Sequence, residues 1–266
     1  MTDSLPIIYS KTEFIDKLKE IAARGWVPNA RKGNSGGIGN TLEDLLGITE
    51  NNLPIPNSGE WELKTQRLST SSLITLFHIE PSPRALHFAP SILLPKYGWS
   101  LQSDSSHYAQ EGLSFRQTIT ATTPTSRGFK VLVDDIQKKI QISFDSSAVS
   151  EEHADWLTLV KNRVGLGDLD PHPYWGYDDL KHKAGTKLNN AFYVQAAVKR
   201  EKGQEYYHYS SIVMLQNFNF EGFLQAIRAG SLLIDFDARS GHNHGTKFRL
   251  RQNQLPSLYK TVTTIL

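Results

Sequence analysis

The chain contains no cysteine among its 266 residues. This absence excludes a disulfide-stabilised scaffold, a zinc site built on thiolates and a cysteine nucleophile. It is in keeping with a reducing compartment, where disulfides are rare. Any chemistry that the chain performs must therefore use carboxylates, amines, imidazoles, amides or hydroxyls.

Long apolar runs and a strong net charge are missing as well. No apolar stretch approaches the ~18–20 residues needed to span a bilayer, and residues 1–20 lack the apolar core of a signal peptide. We therefore expect a cytoplasmic protein. The net charge is only +2, with 39% hydrophobic and 21% charged residues, which indicates a globular chain. Composition alone does not indicate a nucleic-acid partner.

The distribution of charge is more informative than its total. Residues 239–251 contain four basic side chains, two histidines and no acid. Such a local stretch is either the electrostatic footprint of a nucleic-acid site or a solvated basic edge.

One predicted strand, residues 59–65, organises the rest of the chain. Alternation places Glu60, Glu62 and Lys64 on one face and apolar Trp61 and Leu63 on the other. Two carboxylates beside an ammonium suit a divalent cation in a phosphodiesterase site. The same alternation is also typical of any half-exposed strand.

Periodicity and turn signals predict a mixed set of elements around this strand. Helices are expected at residues 10–24, 40–46, 85–97 (interrupted at Pro90) and 219–229, and from residue 255 to the C-terminus. Strands are expected at 72–79, 113–121, 129–133, 139–144, 191–198, 206–214, 232–238 and 247–250. Residues 164–185 are expected to form a long connector, and 239–246 a basic loop.

Five pieces of sequence, taken in order, are similar to the MvaI/BcnI family of MutH-like restriction endonucleases. They are Gly-Asn-Thr-Leu-Glu-Asp-Leu-Leu at 39–46, Glu-Asn-Asn-Leu at 50–53, Gly-Glu-Trp-Glu-Leu-Lys-Thr at 59–65, Leu-Ile-Thr-Leu-Phe-His at 73–78 and His-Asn-His-Gly-Thr-Lys-Phe-Arg at 242–249. The resemblance implies an α/β (α+β) fold: a restriction-endonuclease-like mixed sheet flanked by helices, bilobal, with an antiparallel extension. It implies a single bilobal chain over 1–266, with a catalytic lobe at about 1–100 and a DNA-recognition lobe at about 101–266.

The resemblance also assigns the catalytic residues. Glu62 and Lys64 match the E-x-K part of the PD-(D/E)xK motif, Glu62 as a ligand of Mg²⁺ and Lys64 as the group beside the attacking water. Glu43 matches a supporting glutamate on a helix. The implied partner is double-stranded DNA, cut by a monomer that works alongside a cognate DNA methyltransferase.

One position departs from the family pattern. Asn57 stands where the family has a metal-binding aspartate, five residues before Glu62. An amide oxygen can bind Mg²⁺ but brings no charge, so weaker metal binding is expected. Asn57 is an engineered inactivation, a natural variant compensated by Glu60 or Glu43, or the mark of a weakly catalytic relative that keeps DNA binding.

The resemblance implies a set of base-reading residues near the C-terminus, together with one histidine upstream. Arginine pairs with guanine and aspartate accepts from cytosine, so a G·C-rich site of the CCSGG or CCWGG type is expected. The two family histidines that read the central base pair correspond to His78 and His242, and a buried core histidine is the alternative for His78. The set is His78, Asp235, Asp237, Arg239, His242, His244 and Arg249. Contacts with the DNA backbone are expected from Arg31, Lys32, Lys96 and Lys247.

Three functions stay open at this point. The first is a type II restriction endonuclease that nicks each strand of a short pseudopalindrome in turn. The second is a mismatch-repair nicking enzyme of the MutH kind. The third is a DNA-binding module without catalysis.

Overall fold

The computed structural model describes residues 9–31, 37–48, 59–68, 70–100 and 112–266. They divide into two compact units. Unit 1 comprises Met1–Ile74, His182–Gly222 and Arg251–Leu266, and unit 2 comprises Thr75–Lys181 and Phe223–Leu250. The units therefore interleave along the sequence, and the assignment of a separate function to each remains a prediction.

The predicted mixture of helices and strands is confirmed. The α-helices are α1 (Lys11–Ala23), α2 (Gly37–Leu46), α3 (Leu94–Tyr97), α4 (Ala154–Val164), α5 (Tyr177–Leu188) and α6 (Phe220–Arg228). The strands are β1 (Val27–Pro28), β2 (Trp61–Arg67), β3 (Leu73–His78), β4 (Trp99–Ser100), β5 (Leu113–Ile119), β6 (Arg127–Asp134), β7 (Lys139–Val149), β8 (Tyr174–Gly176), β9 (Asn190–Glu201), β10 (Gln204–Phe218), β11 (Leu232–Arg239), β12 (His242–Arg251) and β13 (Tyr259–Thr264).

Unit 1 is built on a mixed sheet with the strand order β1-β10-β9-β2, and β13 pairs with β10. β2 runs parallel to β9, whereas β9, β1 and β13 each pair antiparallel with β10. The register places Glu62 beside Ala191 and Lys64 beside Tyr193. Since paired residues of adjacent strands share a sheet face, Tyr193 lies on the face that carries Lys64.

The opposite face of this sheet packs against α1 and α2. Phe14, Leu42, Trp61 and Phe192 belong to one buried cluster there. Helix α1 begins at a capping box in which Ser10 and Glu13 satisfy each other's backbone N–H groups. The charged side chains of β2 are thereby left to the face away from this core.

Unit 2 contains two sheets, with strand orders β3-β12-β11-β5-β4 and β6-β7-β8. The pairs β4–β5, β5–β11, β11–β12, β6–β7 and β7–β8 are antiparallel, in keeping with the expected antiparallel extension. Phe115 and Phe129 meet edge to face with ring centroids 5.2 Å apart, and Phe115 meets Phe236 at 5.6 Å. These aromatic side chains leave the other face of β5 and β11 available for polar residues.

Several predicted elements are wrong. The connector expected at 164–185 contains β8 and most of α5, whose buried Leu180, Ala184 and Leu188 recur at helical spacing. Helix α4 was not predicted at all. The C-terminal helix is instead a 3₁₀ segment, Gln252–Leu258, followed by β13, whose β-branched Thr261, Val262 and Thr263 favour a strand.

The basic loop expected at 239–246 is a tight hairpin, because β12 already begins at His242. In the described part of the chain, no helix is both long and apolar enough to cross a membrane.

Candidate active site

The charged face of β2 is more enclosed than the alternation pattern predicts. Glu62 is only 2% exposed, as is Trp61 on the opposite face. The strand is therefore buried on both faces at this point, and the expectation of a half-exposed charged face is wrong for Glu62. A buried carboxylate needs compensating partners, because losing its hydration is costly.

Two lysines meet one oxygen of that carboxylate. Lys64 Nζ lies 2.8 Å from Glu62 Oε1, and Lys187 Nζ of α5 lies 3.7 Å from the same oxygen. Glu62 Oε2 is buried and has no hydrogen-bond partner among the described residues. One oxygen is thus neutralised by ammonium groups while the other is left available to a ligand.

Tyr259, the first residue of β13, borders the same carboxylate. Its phenol oxygen is buried, with no hydrogen-bond partner in the described ranges. Burial raises the pKa of Tyr259, and the negative charge of Glu62 raises it further. The phenol therefore remains protonated and offers a donor at the site.

The other predicted catalytic residues are placed less completely. Glu43 is half-buried on α2, and α2 reaches β2 closely enough that a Cβ on Gly39 would lie 2.9 Å from Thr65 Oγ1. Glu60 is exposed before β2, where its Oε2 accepts from Asn190 Nδ2 at 3.5 Å. Asn57 lies outside the described residues.

The donors fit a divalent cation only in part. Glu62 Oε2 is a hard, charged oxygen of the type that Mg²⁺ prefers. Within the described ranges, however, no three histidine, aspartate or glutamate side chains gather as a metal-binding group. A full ligand set would need Glu43, the Asn57 amide or backbone oxygens in addition.

A second charged surface lies in unit 2, on one face of β5, β11 and β12. In the strand register Asp235 pairs with Thr118 and Lys247, and Asp237 pairs with Arg116. The β11–β12 pairing shifts between Phe236 and Ala238, so Asp237 sits at an irregularity that can re-aim its side chain.

This surface alternates acids and bases in direct contact. Asp235 accepts from Thr118 Oγ1 at 2.9 Å and pairs with Arg249 Nη1 at 3.2 Å. Asp237 pairs with Arg116 Nε at 2.8 Å and with Lys247 Nζ at 3.0 Å. The side chains line a cavity of about 350 Å³. The cations are held in fixed positions before any ligand arrives.

The neighbouring cations favour the charged form of Asp237. Burial on its own would raise the pKa of Asp237. The hydrogen bond from Lys247 and the charges of Lys247, Arg116 and His244 outweigh burial and lower that pKa below its usual 3.8.

The predicted histidines gather at the neighbouring end of β12. His242 and His244 are exposed, with their Nε2 atoms 2.9 Å apart. A Cβ on Gly245 would lie 3.8 Å from His78 Cδ2. His78 is exposed, so the alternative of a buried core histidine is wrong.

The residues predicted to contact the DNA backbone are divided between the two units. Arg31 Nε and Nη2 bind the Asp44 carboxylate at 3.1 and 2.7 Å. Lys96 is half-exposed on α3, and Arg239, which was predicted to read bases, is exposed at the end of β11. Lys32 lies outside the described residues.

Four residues at these sites were missed from the sequence. Lys187, Tyr259, Arg116 and Thr118 reach Glu62, Asp235 or Asp237 only through strand pairing and packing. None stands in a recognisable motif, and each is far along the chain from its partner. No local signal could have found them.

A mixed sheet that carries a buried glutamate paired with a lysine two residues later is the arrangement expected of a nuclease with the restriction-endonuclease fold. Comparison of the sequence with known protein families identifies the family. Residues 15–259 match the MvaI/BcnI restriction endonuclease family, so the chain belongs to that family and is a type II site-specific nuclease. Restriction endonucleases generally use a divalent metal ion.

Solved structures agree on the fold. Restriction endonuclease MvaI in complex with its cognate DNA substrate is 24% identical, covers 97% of this chain and 100% of its own, and gives a TM-score of 0.76. MvaI in the absence of DNA has the same identity and coverage, with a TM-score of 0.53. The restriction-endonuclease-like fold is thereby confirmed. No curated protein sequence matches the chain.

Proposed function

We propose that this chain is a Mg²⁺-dependent restriction endonuclease that acts as a monomer and nicks each strand of a short G·C-rich pseudopalindrome in turn. The target is of the CCSGG or CCWGG type, and a cognate methyltransferase protects the host DNA. The observation that carries the proposal is that the two carboxylate oxygens of Glu62 have different environments. Oε1 is bound by Lys64, whereas buried Oε2 has no hydrogen-bond partner among the described residues.

Each side chain of the site has its own role in the proposed hydrolysis of the phosphodiester bond. Glu62, with Glu43 and Asn57, would hold Mg²⁺, and the ion would supply Lewis-acid polarisation of the scissile phosphate. Lys64, bound to Glu62 at 2.8 Å, is the ammonium donor beside the attacking water and a phosphate oxygen in this proposal. Lys187 adds positive charge where the pentavalent transition state is most negative.

Unit 2 supplies the sequence reading in this proposal. Arg116 and Arg249 can each present a planar fork to guanine O6 and N7, and Asp235 and Asp237 can accept from cytosine N4. The ion pairs among these residues hold the forks in position before binding. Such preorganisation lowers the entropic cost of recognition.

Plasmid digestion tests the function directly. Supercoiled plasmids carrying CCSGG, CCWGG or neither are incubated with Mg²⁺, and the conversion of supercoiled to nicked and linear DNA is followed on gels. We expect sequential nicking of both strands at one of the two sites. Glu62→Gln should reduce the rate at least ~100-fold, while Glu20→Gln, an exposed change on α1, should leave it unchanged.

A second function is favoured by the charge balance of the site. Two ammonium groups face one carboxylate, and the neutral Asn57 adds no negative charge, so metal binding can be too weak for turnover. A DNA-binding relative with impaired catalysis would bind the site without cutting it. Cleavage that stops after one strand and requires another protein would instead support a MutH-like enzyme.

A further inference from the structure

A cavity of about 620 Å³ opens in unit 1 on the active-site face of the sheet. Its lining includes Tyr193 of β9, which lies across from Lys64 in the pairing of β2 with β9. The two side chains share a sheet face, so the cavity opens on the face that carries Lys64 and Glu62, and Tyr193 is the strand neighbour of Lys64. It lies away from the hydrophobic core on the opposite face.

Two buried polar atoms of the lining make no hydrogen bond of good geometry among the described residues, although the amides of Gln252 and Gln195 lie close enough to Tyr193 to affect its pKa. One is Tyr193 Oη, on a side chain that is only 4% exposed, and the other is Gln252 Oε1. Burial raises the pKa of Tyr193 to about 12, and the amides of Gln252 and Gln195 oppose the rise. The phenol is therefore a donor at neutral pH. Unsatisfied groups of this kind destabilise a folded chain unless a ligand or water meets them.

The charge of the lining indicates the sign of that ligand. Arg251, the last residue of β12, is exposed at the cavity, and Thr70 and Ser71 add hydroxyl groups. None of the described lining residues carries a carboxylate. A guanidinium with hydroxyl and amide groups around it suits a phosphate diester.

We propose that this cavity holds the strand being cut, at the nucleotide next to the scissile phosphate. Arg251 pairs with the phosphate of that nucleotide, and Tyr193 donates a hydrogen bond to the phosphate or its sugar. The proposal rests on the proposed nuclease function, because it takes Glu62 and Lys64 as the point of cleavage. It assigns a substrate contact to residues on the active-site face of the sheet.

Duplex binding in EDTA, where no cutting occurs, tests the cavity separately from catalysis. Fluorescence anisotropy is recorded for duplexes with and without a CCSGG or CCWGG site at 50–200 mM salt. Arg251→Gln should weaken binding to every duplex about equally, and lower the slope of log K against log salt by about 1. Lys19→Gln, an exposed change on α1, is the matched control and should leave both quantities unchanged.

Tyr193→Phe separates a ligand contact from a structural role. The variant keeps the ring and loses only the hydroxyl, so duplex binding should weaken about tenfold. Its melting temperature should be unchanged or higher, since a buried hydroxyl without a partner is removed. Loss of binding accompanied by a lower melting temperature would show that the hydroxyl supports the fold, and would overturn the assignment.

Other outcomes are equally decisive. Wild-type binding by both variants would overturn the proposal. Binding of deoxyadenosine monophosphate or inorganic phosphate as tightly as duplex DNA would assign the cavity to a free anion and exclude a strand contact. Failure of the proposed nuclease function would give a different result. The wild-type protein would then bind DNA in EDTA but would not cut it when Mg²⁺ is added.

Discussion

Lys187 and Glu62 face each other in unit 1, with Nζ of the lysine 3.7 Å from Oε1 of the glutamate. Lys64 binds the same oxygen at 2.8 Å. A buried carboxylate that meets two ammonium groups on one oxygen is locked in orientation. Its other oxygen, Oε2, is thereby held ready for a ligand.

Lys187 should matter for rate more than for substrate binding. Lys187→Gln removes a positive charge beside Glu62, where the proposed mechanism places the reacting phosphate, and we expect a fall of about 100-fold in the single-turnover cleavage rate. Lys187→Arg should restore part of the rate. Lys181→Gln, an exposed change on the same helix, is the control. An unchanged rate for Lys187→Gln would remove this lysine from the site.

A carboxylate at position 57 should strengthen metal binding. Asn57→Asp adds a charged oxygen ligand, so the Mg²⁺ concentration for half-maximal rate should fall about tenfold. Metal titrations of the cleavage rate measure this. Asn40→Asp is a control for the added charge alone. A higher Mg²⁺ requirement in Asn57→Asp would show that Asn57 is adapted to this site.

Asp235 should control discrimination between base pairs. Asp235→Asn weakens the ion pair with Arg249 and removes the charge on the proposed acceptor for cytosine, so we expect a loss of ~1–3 kcal/mol of discrimination at one base pair. Cleavage rates on duplexes with single base changes give this value. Asp178→Asn, exposed on α5, should leave discrimination intact. Equal loss of activity on all sequences would instead indicate a backbone contact.

The ion pairs of Asp237 should make the stability of the folded protein depend on pH in the acidic range. The folded-state pKa of Asp237 lies below the usual 3.8, so the stabilisation is fully present above that value and is lost as pH falls through the folded pKa. Asp237→Asn should therefore be less stable than wild type at pH 6, and the difference should shrink toward pH 3. Thermal unfolding across this range measures it. A difference that grows with acid would contradict the assignment.

Trp61, on the strand that carries Glu62 and Lys64, should contribute strongly to the stability of the core of unit 1. Its ring lies 4.7 Å from that of Phe192 and is 2% exposed, so Trp61→Ala should cost ~3–5 kcal/mol. Urea unfolding measures the loss. Trp26→Ala, at a 41% exposed position, should cost less than ~1 kcal/mol. Equal costs for the two changes would show that the core of unit 1 is not organised around β2.

Local pattern was sufficient for most elements and for the E-x-K pair. Strand alternation determines which of Trp61, Glu62, Leu63 and Lys64 share a face, and helical spacing with a capping box determines α1. Both depend on residues close together in the chain. Pattern failed at α5 because charged residues and a glycine separate its few apolar residues. At β13 the β-branched residues do favour a strand, so that error did not come from a missing local signal.

The amino-acid sequence alone therefore determined the class of chemistry, through the order of its motifs and the short spacing of Glu62 and Lys64. Only the tertiary structure decided that Glu62 is buried, that Lys187 and Tyr259 border it, and that Arg116 pairs with Asp237. The physical reason is the distance along the chain over which each effect acts. Strand alternation acts over a few residues, whereas burial and ion pairing depend on which distant segments the sheets bring together.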